Sequence, residues 1–213
     1  MSTTNGRSVS SVFGRRYLFH VHSQFADGSA SVEDYLRLAQ AHDLETVTIL
    51  EHARRIPSYS VQRYADTIRE TSNRLGIRAL VGFEVKLDSD GSLDINDETL
   101  ALADVVGLAV HKFPNDFMMF MKAFSSVLRL CSDKIRVWVH PGLWFVRRGI
   151  LEEKFLVYTA MLNIAVSEGW FIEYNLKYNL IPRSWRKLVH RSKLVTGVDA
   201  HSIDDVRKHI HLL

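Results

Sequence analysis

The sequence predicts an α/β fold built on a parallel sheet, and three observations carry the prediction. Seven short β-branched runs alternate with longer stretches of helical periodicity. No G-x-G-x-x-G follows the first run, so an open dinucleotide-binding sheet loses its main support. A closed barrel with an incomplete strand count fits at least as well. Each run also delivers a polar or ionisable group at or near its C-terminal end, where the strands of a β/α barrel converge on one face.

The strands are expected at residues 17–23, 46–52, 79–87, 105–111, 136–140, 170–175 and 194–199. Between them, Ser31 and Asp34 make a capping-box-like helix start. A second helix spans 59–75 and stops at Gly76, which suits the left-handed position past a helix end. Further helices are expected at 97–103, 116–130 and 151–167, the last stopped by Gly169. Pro182 opens a sixth at its first turn, and Ser202 caps a seventh that runs to the end. Residues 1–16 read as a flexible lead-in, and 17–213 as one domain.

Composition narrows the function classes. With 213 residues the chain suits a single domain, and its net charge of +3 suits an anionic substrate without arguing for nucleic acid. No apolar stretch reaches membrane-spanning length, and the N-terminal segment lacks a secretory signal's apolar core, so the expected location is cytoplasmic. The single cysteine, Cys131, excludes internal disulfides and a cysteine-rich zinc site; it reads as a small core residue of a helix.

Ten histidines carry the chemical argument. The strand ends read FHVHS (His20, His22), LEH (His52), GFEVK (Glu84), AVHKF (His111), WVHPG (His140), IEYN (Glu173, Asn175) and GVDAH (Asp199, His201). Residues i and i+2 share a strand face, so His20 pairs with His22, and Asp199 with His201. Histidine occupies about one position in twenty by composition, 10 of 213, so its recurrence at strand ends points to a site. Imidazole and carboxylate suit zinc, manganese or iron, and the donors are too many for one ion. His42, His190, His209 and His211 fall on helices or the tail and read as solvated or structural. Asp27, in the turn ADGS, reads on its own as an ordinary turn aspartate before glycine.

At these residues a family resemblance enters. The block FHVHSQFADGSASVEDYLRLAQAHDLETVTILEH carries an H-x-H pair, an S-D-G-like turn, a helix and a strand ending in an acid–His pair. GFEVKLDSDGSLDI supplies a glutamate segment, and AVH, VHPG and GVDAH follow in order. Together they resemble the motifs of the polymerase and histidinol phosphatase (PHP) superfamily over residues 17–202. The resemblance implies a distorted (β/α)7 TIM-like barrel holding two or three divalent ions. It implies that His20, His22, Glu84 and Asp199 hold one ion, and that Glu84 bridges to a second held by His111 and His140. A third falls to Asp27, His52 and His201, which reverses the ordinary-turn reading of Asp27. One departure is Glu51, where the family usually has Asp before the histidine.

The implied activity is hydrolysis of a small phosphate monoester, as in histidinol phosphatases or nucleotide phosphatases, by a metal-activated hydroxide. Glu84, Asp199 and His201 are the expected catalytic groups. Phosphate-binding candidates are Arg54, Lys86 and Arg183, with Asn175 orienting a ligand or water and Glu173 read instead as a buried structural carboxylate; Arg55, Arg147, Arg148 and Lys177 read first as solvated charges. Phe113, Trp144 and Phe145 follow ligand histidines and either stack on a substrate ring or pack the rim. Two alternatives compete. One is a phosphodiesterase or 3′→5′ exonuclease acting on single-stranded nucleic acid, and the other a metal-binding accessory module without turnover.

Overall fold

The computed structural model describes residues 7–181 and 183–213, without the side chains of Arg183 and Ser184. Seven strands form one parallel sheet in chain order: β1 (Tyr17–Val21), β2 (Thr46–His52), β3 (Arg78–Lys86), β4 (Val105–Ala109), β5 (Ile135–Trp138), β6 (Phe171–Asn175) and β7 (Leu194–Gly197). The sheet closes on itself. Val198 and Ala200 donate to the carbonyls of Phe19 and His20, and His22 donates back to Ala200. The result is the TIM-like α/β barrel expected for the PHP fold. Strands end two residues earlier than expected in β1, β4, β5 and β7 and one earlier in β3, so that His22, His111, His140 and Asp199 lie just past the ends of their strands.

The helices follow their local signals. In α2 (Val32–Ala41) Ser31 and Asp34 complete the expected capping box. In α3 (Val61–Leu75) the helix ends at Gly76 with φ 66°, the left-handed cap the sequence predicted. Next come α4 (Asp97–Leu102), capped by Asn96, and α5 (Phe117–Val127), capped by Asp116. A short α6 (Leu143–Arg147), absent from the sequence reading, precedes α7 (Phe155–Ser167). The expected sixth helix is instead two 3-10 segments, Arg183–Leu188 and Arg191–Lys193; Pro182 itself lies outside the described residues. The last helix, α8 (Ile203–Arg207), is capped by Ser202 and stops short of the terminus. Cys131 lies past α5 in a turn at φ 53°, half-buried, with burial raising its thiol pKa.

Apolar packing divides into two layers. One lies between the strands and the surrounding helices. The other fills the barrel, from Phe19, Leu50, Val137 and Val195 down to Val9, Val12 and Phe13. Those last three belong to α1 (Val9–Phe13), within the segment read from sequence as a lead-in. Ser8 caps it, and Phe13 packs edge-on against Phe19 and Phe171 at ring separations of 5.4 and 5.8 Å. The helix closes the N-terminal end of the barrel, which leaves only the C-terminal end open. Phe13 is fully buried, so Phe13→Ala should cost about 3–5 kcal/mol of stability. Urea unfolding would measure it, and a loss under about 1 kcal/mol would show that α1 does not plug the barrel.

No helix among the described residues is long and apolar enough to cross a membrane.

Candidate metal centre

Glu84 stands at the centre of the open end, almost fully buried, and its two oxygens face different partners. Oε1 lies 3.0 Å from His140 Nε2 and 3.1 Å from His111 Nε2. Oε2 lies 3.4 Å from the Nε2 atoms of both His20 and His22, and 3.3 Å from His52 Nδ1. One carboxylate thus sits between two sets of ring nitrogens. Strand pairing produces this: His52 registers with Glu84 across β2 and β3, and β4 and β5 bring His111 and His140 from the other side.

A further group forms nearer the surface. Asp27 Oδ2 is 3.3 Å from His52 Nε2 and 3.6 Å from His201 Nε2. Asp199 Oδ1 lies 3.7 Å from His201 Nδ1 and 3.8 Å from His22 Nε2. Four sets could hold an ion: Glu84, His111 and His140; His20, His22 and Glu84; His20, His140 and Asp199; and His22, Asp27, His52 and His201. All nine residues expected from the resemblance come together, with His22 also drawn toward the Asp27 group.

Backbone geometry sets these positions as much as side-chain choice does. His20, His140 and Asp199 have φ of 67°, 29° and 53°, in a region that residues other than glycine seldom occupy. At His20 the β1–β2 register shifts by a bulge between Phe19 and Val21. Such strained positions cost about 1–3 kcal/mol each and persist where the surroundings over-determine them. Asp27 is placed by its loop folding back on β1: Gly28 donates to Ser23, and a Cβ on Gly28 would overlap the His22 carbonyl.

A layer of carboxylates lies behind the histidines. Glu173, fully buried, takes His20 Nδ1 at 2.6 Å through Oε1. Its Oε2 accepts from the backbone N–H of His140 and from Asn175 Nδ2. With an ion at Nε2, the Glu173 bond would keep the His20 proton on Nδ1. Glu51 accepts from the backbone N–H and hydroxyl of Ser23, and its Oε2 lies 3.9 Å from His22 Nδ1. Burial pushes the Glu51 carboxyl up to about 7 despite the Ser23 bonds.

The electrostatics suit cations. Burial drives His22 well below the usual imidazole range, and neither of its ring nitrogens has a hydrogen-bond partner. A fully buried neutral imidazole with both nitrogens unpaired is costly, and a metal ion is one of the few partners that would relieve it. Burial likewise lowers His111 to about 4. His20 goes the other way: burial opposes its charge, but Glu173 and Asp199 outweigh it and hold it well above the usual value. For Glu84, burial opposes ionisation and the bonds from His140 and His20 override it, leaving a firmly ionised carboxylate.

The cavity over this centre is about 350 Å³. Arg54 and Lys86 both line it. Lys112, Arg147 and Lys177 join them, with Lys177 Nζ 3.1 Å from Asp199 Oδ1. The lysine that directly follows His111 was the signal available for Lys112. Asn175 does not reach the cavity. It is fully buried behind the site, bonded to Glu173 and accepting from the Tyr178 N–H, because its side chain follows Glu173 onto the same strand face. The Arg183 side chain lies outside the described residues. Arg55 is tied to Asp88 and Ser92. Phe113, Trp144 and Phe145 are buried in the packing under the rim and offer no stacking surface.

The family model of the PHP domain matches residues 19–175, nearly three-quarters of the chain. The chain belongs to the PHP domain family. No curated protein matches it in sequence. Among solved structures this PHP domain is similar to a two-domain protein from Bacteroides vulgatus containing a predicted PHP-like metal-dependent phosphoesterase. The identity there is 19%, the coverage 91% of this chain and 55% of that one, and the TM-score 0.49. The PHP domain thus spans little more than half of that protein's length. A candidate metal-dependent phosphoesterase from Bifidobacterium adolescentis is 14% identical over 90% of this chain and 94% of its own, with a TM-score of 0.43.

Proposed function

We propose that this PHP domain hydrolyses small phosphate monoesters, with two or three divalent ions held by the nine residues around Glu84. The observation that carries the reading is the division of the Glu84 oxygens between His111 and His140 on one side and His20, His22 and His52 on the other. A carboxylate so placed suits a bridge between ions. His20, His22, Glu84 and Asp199 would hold one, Glu84, His111 and His140 a second, and Asp27, His52 and His201 a third. Zinc, manganese and iron all suit this donor set. Ions bound there would supply Lewis acidity and an acidified water at neutral pH.

The chain's own groups do the rest. Arg54 and Lys86 line the cavity and would bind the phosphoryl oxygens, which fixes the ester for in-line attack. When only two ions are bound, His201, with a partly exposed ring beside Asp199 that is then free of metal, would pass a proton to the departing alcohol oxygen. Glu84 would keep the facing ring nitrogens in place by charge. The monoester is favoured over a single strand of nucleic acid because Phe113, Trp144 and Phe145 are buried and Tyr178 is the single Phe, Tyr or Trp side chain lining the cavity, whereas strand binding draws on successive stacking platforms.

The test is elemental analysis of the purified protein, followed by assays with p-nitrophenyl phosphate, its bis-ester and labelled single-stranded DNA in Mn, Zn or Fe. Monoester turnover that stops on chelation is expected. Metal-free protein with no turnover after reloading would discard the reading, and preference for the diester or DNA would move it to the nuclease alternative.

A further inference from the structure

Beside the mouth lies a second cavity, of about 510 Å³, that the phosphoryl site does not use. It shares His111, Lys112 and Arg147 with the first, so the two are continuous. Its remaining wall comes from Phe113, Pro114, Trp144 and Arg148, and it contains no carboxylate. Lys112, Arg147 and Arg148 therefore give it three positive charges.

Both guanidiniums are held in place. Arg147 Nη1 donates to the carbonyl of His111 at 3.1 Å, and Arg148 Nη2 to that of Phe113 at 2.9 Å. Each uses part of its five-donor fork on the loop and is bonded to no carboxylate among the described residues. Trp144 stacks on Phe120 at 4.5 Å and donates to Phe113, which fixes the floor. With both aromatic faces covered, this cavity offers a ligand fixed cations and not a stacking surface. Phe113 is two residues from His111, a reach of at most about 7 Å, so one short molecule can touch both cavities.

We propose that the α6 cavity binds a second anionic group of the substrate, making the preferred substrate a short phosphate ester with a phosphate at each end. The proposal rests on the phosphoesterase reading for the first end. The scissile phosphate occupies the cavity over Glu84, and the distal one is gripped by Arg148, Lys112 and Arg147. Bidentate guanidinium–phosphate pairing supplies the selectivity, and a substrate with one anionic end loses it.

The experiment compares matched ligands on manganese-loaded, dialysed protein at fixed ionic strength. Calorimetry measures butane-1,4-bisphosphonate against butylphosphonate, and kinetics measures the corresponding bisphosphate and monophosphate esters. The bisphosphonate should bind at least about tenfold more tightly, and the bisphosphate should show a similarly lower KM. Arg148→Gln should remove most of that preference, and Arg148→Lys should retain part of it. Binding of butylphosphonate by each variant reports that it has folded. Equal affinity for the two phosphonates would overturn the proposal. So would an Arg148→Gln effect of the same size on both ligands, or tighter binding of a short oligo-dT strand than of the bisphosphonate. A binding preference that persists while neither ester is cleaved would support the second subsite and overturn the phosphoesterase reading.

Discussion

Replacing Glu84 with Gln is expected to lower kcat/KM for a phosphate monoester by about a thousandfold, with loss of bound metal. The size follows from position. The carboxylate is almost fully buried, and five histidine rings point nitrogens at its two oxygens. Glutamine keeps the volume but removes the charge, and turns one acceptor into a donor facing ring nitrogens. Elemental analysis and steady-state kinetics on the same preparation would measure both effects. The bridging assignment fails if the variant keeps wild-type metal content and turnover.

The second large effect is expected at Glu173, which touches no substrate. Its carboxylate accepts three bonds, from His20 Nδ1, the His140 N–H and Asn175 Nδ2. Glutamine offers one oxygen and an NH2 group, so at least one of these donors would face another donor. We expect Glu173→Gln to weaken metal binding about 10–100-fold, as is usual when a partner that orients a ligand is lost. The unpaired buried group should also cost about 1–3 kcal/mol of stability. Gly197→Ala should act alike without altering any charge, since a Cβ at Gly197 would overlap the Glu173 carboxylate. Competition titration with a chromophoric chelator reads the affinity, and thermal unfolding of metal-free protein separates the stability loss from it. Wild-type affinity in both variants would leave Glu173 a purely structural carboxylate.

Much of the fold was legible because its signals are local. The Ser31–Asp34 cap, the left-handed Gly76 and the seven β-branched runs each act within a few residues, so sequence spacing reports them directly. The strand-end donors were legible for the same reason: a parallel barrel turns position along a strand into position on the open face. Other features depend on contacts far apart in sequence. The α1 plug is made by Phe13 meeting Phe171, and the cationic cavity beside the mouth by Arg147 and Arg148 reaching back to the loop after β4. No short-range pattern encodes either.

Glu173 and Asn175 show the boundary most clearly. In sequence Glu173 reads as a buried structural carboxylate and Asn175 as a group that orients a ligand or water, although periodicity gives them one face. Only the packed structure sets them behind His20 and His140, where their bonds hold those two residues and do not face the cavity. By itself, then, the sequence determined a parallel α/β sheet with histidines and carboxylates at its strand ends, and the family resemblance carried that to a barrel. Tertiary structure decided which of those groups face the cavity and which support from behind. The reason is that strand alternation assigns a side chain to a face, whereas burial depth and hydrogen-bond partners depend on the neighbouring strands and on backbone turns such as those at His20, His140 and Asp199.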